Sequence, residues 1–237
     1  MSHHVQKIAT AALLHDIGKF WSRTGDKPPF DQQEKEHFNT YEHALWSAHF
    51  VEQHIKDAEM ASWVRDHHTP TRSKEAAIIS LADWLSSGER HQDEDIERDK
   101  PQAAALVNIL SQISTRENQT PDQASSYFPL TAHAKFDGAF MPKAEPDAGN
   151  KYFPLWSDFL TALKSLPDLS SPETPHATWL SLMKRYCSRI PAATPTRIRG
   201  YVPDISLYDH SRISAAIASC LAANDMTAEN AAQLRDA

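Results

Sequence analysis

Four short stretches of this chain place imidazoles and carboxylates where they could do chemistry. His15 and Asp16 stand side by side at the end of the apolar run IATAALL. His43 follows, then the pair His67–His68, then Asp83 inside ISLADWLSSGER. Charged and imidazole groups at the edge of a core cost free energy unless something offsets their desolvation. A metal ion would do so, and mixed imidazole and carboxylate donors suit Mn²⁺, Fe²⁺, Ni²⁺, Co²⁺ or Zn²⁺ better than Ca²⁺. Taken singly, each residue has a plainer reading. Asp83 could be a helix-face carboxylate, and His67–His68 a helix end that favours positive charge. His3, His4, His37, His49, His54 and His91 are read as ordinary surface or core histidines. The joint order, each member attached to an apolar segment, points to a metal site.

The elements that must position these groups read as helices. Residues 5–22 have an apolar face of Ile8, Ala11, Ala12 and Leu14 leading to His15. TGDKPPFD (24–31) breaks the pattern, and Thr40 is a candidate N-cap for a helix over 41–56. A shorter helix is expected over 58–67, stopped near Pro70. Ser73 opens another over 74–88 with Ile78, Leu81 and Leu85 on its core face and Gly88 closing it. Asp83, four residues after Ile79, shares a buried side. Pro101 suits the first turn of a helix to about Ile113, and 115–150 reads as a long loop with a short strand or turn. Helices resume over 155–165, 173–188 and 206–222, and Thr227 caps a short terminal one.

Composition agrees. Glycine is scarce at 6 of 237 residues and alanine-rich periodic segments recur, which favours an all-α fold. Ten of 13 histidines precede residue 92, whereas 12 of 15 prolines lie at or after Pro101. The first hundred residues therefore read as a compact helical site and the middle as a looser segment. A net charge of −7 argues against a general electrostatic grip on nucleic acid. Cys187 and Cys220 make no disulfide framework, so a reducing cytoplasm is expected. No apolar run approaches the roughly 18–20 residues of a membrane span.

LLHDIGK resembles the signature of the HD phosphohydrolase superfamily, whose pattern runs H, then HD, then D. Its first histidine opens a helix for which this chain has no room upstream of His15. YDHSRISAAIASCLA (208–222) looks like that helix, with His210 followed by Ser211, Arg212 and an alanine-rich face. The resemblance therefore implies a circularly permuted HD-domain helical bundle. HDIGKF, HALWSAHF, ADWLSSGER and PDISLYDH together are similar to one family, the N-terminal nuclease domain of the large polymerase-like subunit of type III-A CRISPR effector complexes. That family continues into palm domains with a GGDD motif that makes cyclic oligoadenylates. No GGDD occurs in this chain, so cyclase activity is not expected of it. The implied organisation is one HD domain over 1–225, with 90–175 a looser insert, and 226–237 leading towards the palm domains.

The resemblance further implies metal-dependent cleavage of single-stranded DNA. One ion would be held by His15, Asp16, Asp83 and His210, and a second by His43, His67 and His68 with Asp16 as a bridge; one ion alone fits the same residues. Mn²⁺ is placed first, with Ni²⁺, Co²⁺ and Fe²⁺ as alternatives. Ser47, Ser86 and Glu89 are candidates for orienting the imidazoles. Lys19, one turn from Asp16, could neutralise a phosphate oxygen. KRYCSRIPAATPTRIRGY (184–201) sets Arg185, Arg189, Arg197 and Arg199 beside tyrosines, a pattern that suits a single strand and equally suits a face towards a partner subunit. Expected partners are the other effector-complex subunits with their guide RNA and the palm domains of the same subunit. Two other functions compete: a nucleotide phosphohydrolase with an enclosed pocket, and a non-catalytic scaffold.

Overall fold

The structure is a computed structural model that describes residues 2–69, 73–87, 104–113, 126–132, 141–146, 151–166, 176–193 and 203–236. It is a bundle of helices: α1 (His3–Leu14), α2 (Gly18–Ser22), α3 (Gln32–Phe38), α4 (Glu42–His54), α5 (Ala58–Asp66), α6 (Lys74–Ser86), α7 (Tyr152–Lys164), α8 (His176–Cys187), α9 (Leu207–Ala223) and α10 (Ala228–Asp236). Among the described residues, β-type pairing is confined to isolated bridges.

The central element is α1. Ser2 caps it by accepting from the Val5 amide, and every residue from Ile8 to Leu14 is buried. Small residues Ala9, Ala11 and Ala12 let neighbours approach closely, and α9 packs against both α1 and α6. Helix α9 thus closes on α1, as the permuted order requires. An aromatic cluster anchors the other side, with Phe20 edge-on to Trp156 (ring centroids 4.9 Å) and Trp156 against Phe159 (5.1 Å). Buried Arg23 donates to the Pro191 carbonyl at 2.7 Å, tying the end of α2 to the connector that leads into α9. No helix among the described residues is long and apolar enough to cross a membrane.

Several expectations need correction. The helix expected over 5–22 is two helices. Ile17 and Lys19 bond to carbonyls three residues back, a tighter turn that interrupts the ladder at His15–Ile17. Helix α3 is absent from the sequence reading, because it buries no residue and so has no apolar period; its one signal is Asp31, which accepts from the Glu34 amide. Tyr41 rather than Thr40 is the N-cap of α4, and the Thr40 hydroxyl donates instead to the Arg65 carbonyl. Leu85 is not on the core face but 48% exposed, in the last turn of α6 beside exposed Trp84.

The helix expected from Pro101 to Ile113 does not form over its described part. Residues 104–107 are a buried extended segment, followed by a 3₁₀ turn at Ile109–Gln112. Val107 bridges to Tyr127 and donates its amide to the Pro203 carbonyl, so tertiary pairing overrides the helix propensity of the alanines. Pro101, Gly88 and Glu89 lie outside the described residues. The short terminal helix expected after Thr227 does form, as α10: the Thr227 hydroxyl accepts from the Asn230 amide, and Ala231 packs on Ala77 and Leu81 of α6.

Candidate metal centre

Two helices end in the same way, and each end presents a histidine. His15 is the C-cap of α1, and its Nδ1–H donates to the Ala12 carbonyl at 2.7 Å. His67 is the C-cap of α5, and its Nδ1–H donates to the Val64 carbonyl at 2.6 Å. A carbonyl accepts only from a protonated nitrogen, so these bonds fix both tautomers with Nε2 as the lone-pair donor. The same bonds satisfy carbonyls that the helix ends would otherwise leave open.

Asp16 follows His15 on the tight turn. His43 comes from the first turn of α4, His68 from the residue after the α5 cap, Asp83 from the last turn of α6 and His210 from the first turn of α9. Glycine at position 18 lets the turn meet α4. A Cβ there would stand 2.1 Å from the His43 carbonyl oxygen and 2.7 Å from the Ser47 nitrogen. The Gly18 amide instead donates to the Ser47 hydroxyl at 2.8 Å, and that hydroxyl donates to the His43 carbonyl.

All seven residues converge as two clusters: His15, Asp16, Asp83 and His210, and beside them His43, His67 and His68. His210 Nε2 lies 3.4 Å from Asp16 Oδ2 and 3.2 Å from Asp83 Oδ1, and His15 Nε2 lies 3.4 and 3.5 Å from the same two oxygens. The other Asp16 oxygen, Oδ1, is 3.3 Å from His43 Nε2. One carboxylate therefore faces both clusters. His43 and His68 approach each other Nε2 to Nε2 at 2.9 Å. Among the described residues, buried His15 Nε2, Asp16 Oδ1, His67 Nε2 and His210 Nε2 have no hydrogen-bond partner. Converging lone pairs with nothing to bond are costly in a core, and a divalent cation is the group that would satisfy them together. The donor set fits a metal.

The charges are arranged to keep the donors unprotonated. Burial alone would raise the Asp16 pKa. The Lys19 ammonium at 2.6 Å, His15, His210 and His43 outweigh it and hold the carboxyl well below its usual range. Burial likewise opposes ionisation of Asp83, but the adjacent His15 and His210 imidazoles carry its pKa far down. Desolvation drives His43 to about 3 and His67 to about 4, so both are neutral near pH 7. His68 is pushed down further by burial and its two imidazole neighbours. His210 moves the other way, because burial is overcome by its two carboxylate partners.

A hydroxyl relay supports the far side. Ser86 Oγ donates to the Asp83 carbonyl and lies 3.2 Å from His210 Nδ1 and 2.8 Å from Ser214 Oγ, while Ser87 Oγ donates to Asp83 Oδ1. Of the four arginines considered for nucleic acid, Arg185 is exposed. Arg189 is not available: it is 3% exposed and donates to the Pro129 carbonyl and the Thr131 hydroxyl, holding the segment around Pro129 against the end of α8. Arg197 and Arg199 lie outside the described residues. The sequence reading missed Arg23 and the tyrosine at the α4 cap, Tyr41, whose ring meets His43 and His68. Neither has a motif of its own, and only the fold brings them into place.

The family model of the HD domain matches residues 2–88. That match contains His15, Asp16, His43, His67, His68 and Asp83, while His210 enters from beyond it. Residues 2–88 of this all-α chain are thus similar to the HD domain, and the cluster they form is closed by α9, from far along the sequence. Over 227 residues, 90% of its length, it is 30% identical to the CRISPR system single-strand-specific deoxyribonuclease Cas10/Csm1 (subtype III-A) of Methanocaldococcus jannaschii. The solved structure of Csm1 in T. onnurineus superimposes with a TM-score of 0.65 at 19% identity, covering 97% of this chain and 29% of that one. A Csm1–Csm4 cassette in complex with one ATP gives 0.61 at 16% identity, covering 94% and 28%. The chain spans about a quarter of the relatives it matches, 27% of the curated one. The similarity to the large subunit of type III-A complexes that the motifs carry therefore extends over nearly the whole chain.

Proposed function

We propose that this chain hydrolyses phosphodiester bonds of single-stranded DNA at a divalent-metal centre, as the HD nuclease domain of the large subunit of a type III CRISPR effector complex. The observation that carries the reading is the Asp16 carboxylate, which turns Oδ2 to His15 and His210 and Oδ1 to His43. Asp16 would bridge two ions, with His15, Asp83 and His210 completing one ligand set and His43, His67 and His68 the other. Mn²⁺ suits the mixed imidazole and carboxylate donors, as do Ni²⁺, Co²⁺ and Fe²⁺. Bound divalent ions would acidify water and stabilise charge on the attacking and leaving oxygens of an in-line displacement.

The protein's own groups do the rest. Ala12 and Val64 carbonyls hold His15 and His67 in the donor tautomer. Ser86 orients His210. Lys19, paired with Asp16 and partly exposed, is a cation available to a phosphate oxygen as charge develops on it. Arg185 on the surface of α8 is a candidate contact for the strand. The expected setting is an effector complex with guide RNA and further subunits, with palm domains following in the same subunit.

The test is incubation of the protein with labelled single-stranded DNA, double-stranded DNA and RNA, with and without Mn²⁺, beside Asp16→Ala. Metal-dependent cleavage of single-stranded DNA that falls at least a hundredfold in the variant is expected, as for loss of a central charge-stabilising group. Equal cleavage by the variant would refute the site, and cleavage of free nucleotides alone would refute the polymer substrate.

A further inference from the structure

We propose that Tyr41 is a stacking platform for the nucleobase next to the scissile phosphate; the proposal rests on the nuclease reading above. Of the seven candidate ligands, only His43 and His68 are partly exposed, and His15, Asp16, His67, Asp83 and His210 are buried. The cluster is therefore open on the His43–His68 side. Tyr41 stands at that opening. Its ring lies 4.5 Å from the His68 ring, edge-on, and 5.8 Å from the His43 ring. It is 62% exposed although its ring contacts these two half-buried imidazoles.

The residue is held in place without being covered. Asn39, in the left-handed region at φ 47°, ends α3 and turns the chain. The Thr40 hydroxyl ties that turn to the Arg65 carbonyl, in the last turn of the helix that ends at His67 and His68. Tyr41 itself is the N-cap of α4, and its carbonyl accepts from the Ala44 and Leu45 amides. An exposed aromatic on a fixed backbone beside a phosphate site gives a base a surface at little entropic cost. Because every base has a π-face, the contact selects single strands, whose bases are unstacked, without selecting sequence. A duplex keeps its bases paired and stacked and cannot use it.

The experiment measures binding of a phosphorothioate-linked oligothymidylate and of its abasic counterpart to the Mn²⁺-loaded protein by fluorescence anisotropy. Wild type, Tyr41→Phe, Tyr41→Leu and Tyr41→Ala are compared, with Mn²⁺ affinity of each by calorimetry. Tyr41→Phe is expected to bind as wild type. Tyr41→Leu, which keeps bulk against His68 but loses the π-face, and Tyr41→Ala are expected to weaken the base-bearing strand about tenfold. The abasic strand and Mn²⁺ should bind all four proteins alike. Equal weakening of the abasic strand, loss of Mn²⁺ affinity in Tyr41→Leu, or unchanged binding of the oligothymidylate would each overturn the proposal. A wild-type protein that binds neither strand overturns both this proposal and the nuclease reading. One that binds the oligothymidylate through Tyr41 but cleaves no ordinary single strand overturns the nuclease reading alone.

Discussion

Substituting Gly18 by alanine should open the metal centre without touching a ligand. The added Cβ would lie 2.1 Å from the His43 carbonyl oxygen, where ordinary contact begins at 3.4 Å, so the two backbones must part by about 1.3 Å. Neither side can yield by rotating a side chain, because the obstacles are the His43 carbonyl, the Ser47 amide and the Trp46 Cβ. Overpacking of this kind costs about 3 kcal/mol, near the top of the usual range. Separation also breaks the Gly18 amide bond to Ser47, about 1 kcal/mol more. Alanine recovers at most about 1 kcal/mol of helix propensity. The net loss of about 3 kcal/mol should lower the melting temperature of a chain this size by about 6–12 °C.

The same movement separates Asp16 from His43, now 3.3 Å apart, across the line between the two clusters. Metal sites tolerate ligand displacements of only a few tenths of an ångström. Mn²⁺ affinity should therefore fall along with stability. Scanning calorimetry and Mn²⁺ titration of the variant read the two effects. A Gly18→Ala protein that melts with the wild type and binds Mn²⁺ as tightly would show that the close approach of α2 to α4 is not what positions Asp16.

Three further outcomes are expected. Ser86→Ala removes the hydroxyl at His210 Nδ1 and should weaken metal binding about 10–100-fold by titration, with little change in melting temperature. Arg189→Ala leaves the Pro129 carbonyl without its donor and should cost about 1–3 kcal/mol in urea unfolding while leaving single-strand affinity unchanged; a selective loss of affinity would restore it as a strand contact. In chelator, stability should fall as pH drops from 6.5 towards 4. His67 stays neutral in the fold down to about 4, whereas the unfolded chain takes the proton near 6.5, so across that window the unfolded state binds more protons. The slope from this one group is about 1.4 kcal/mol per pH unit, and His43 adds to it with the same sign. His210, with its raised pKa, acts oppositely and only above 6.5. Urea unfolding across pH checks the sign; stability that rises on acidification through the window would refute the assignment of His67 as a neutral buried donor.

The site residues were legible because their spacing follows helix geometry. His15 and His67 stand where apolar helices stop, and Asp83 sits four residues after Ile79 on one face, so pattern alone orients them inward. His210 needed the resemblance, since nothing local links it to residue 15. Elements stabilised by contacts distant in sequence were not legible. The alanines at 104 and 105 favour helix locally, but Val107 pairs with Tyr127 and Pro203. Arg189 reads as a free cation in a basic stretch, yet its guanidinium is buried against Pro129 and Thr131.

By itself, then, the order of residues determined the helical class, the metal-type donors and the helices that carry them, because all of these follow from short-range periodicity and side-chain chemistry. The resemblance implied how the donors divide, but only the tertiary structure shows what produces that division. Packing of α9 between α1 and α6, and the approach of α2 to α4 permitted by Gly18, turn the two Asp16 oxygens to different clusters. That division depends on ångström-scale distances between elements up to two hundred residues apart, which no local pattern encodes.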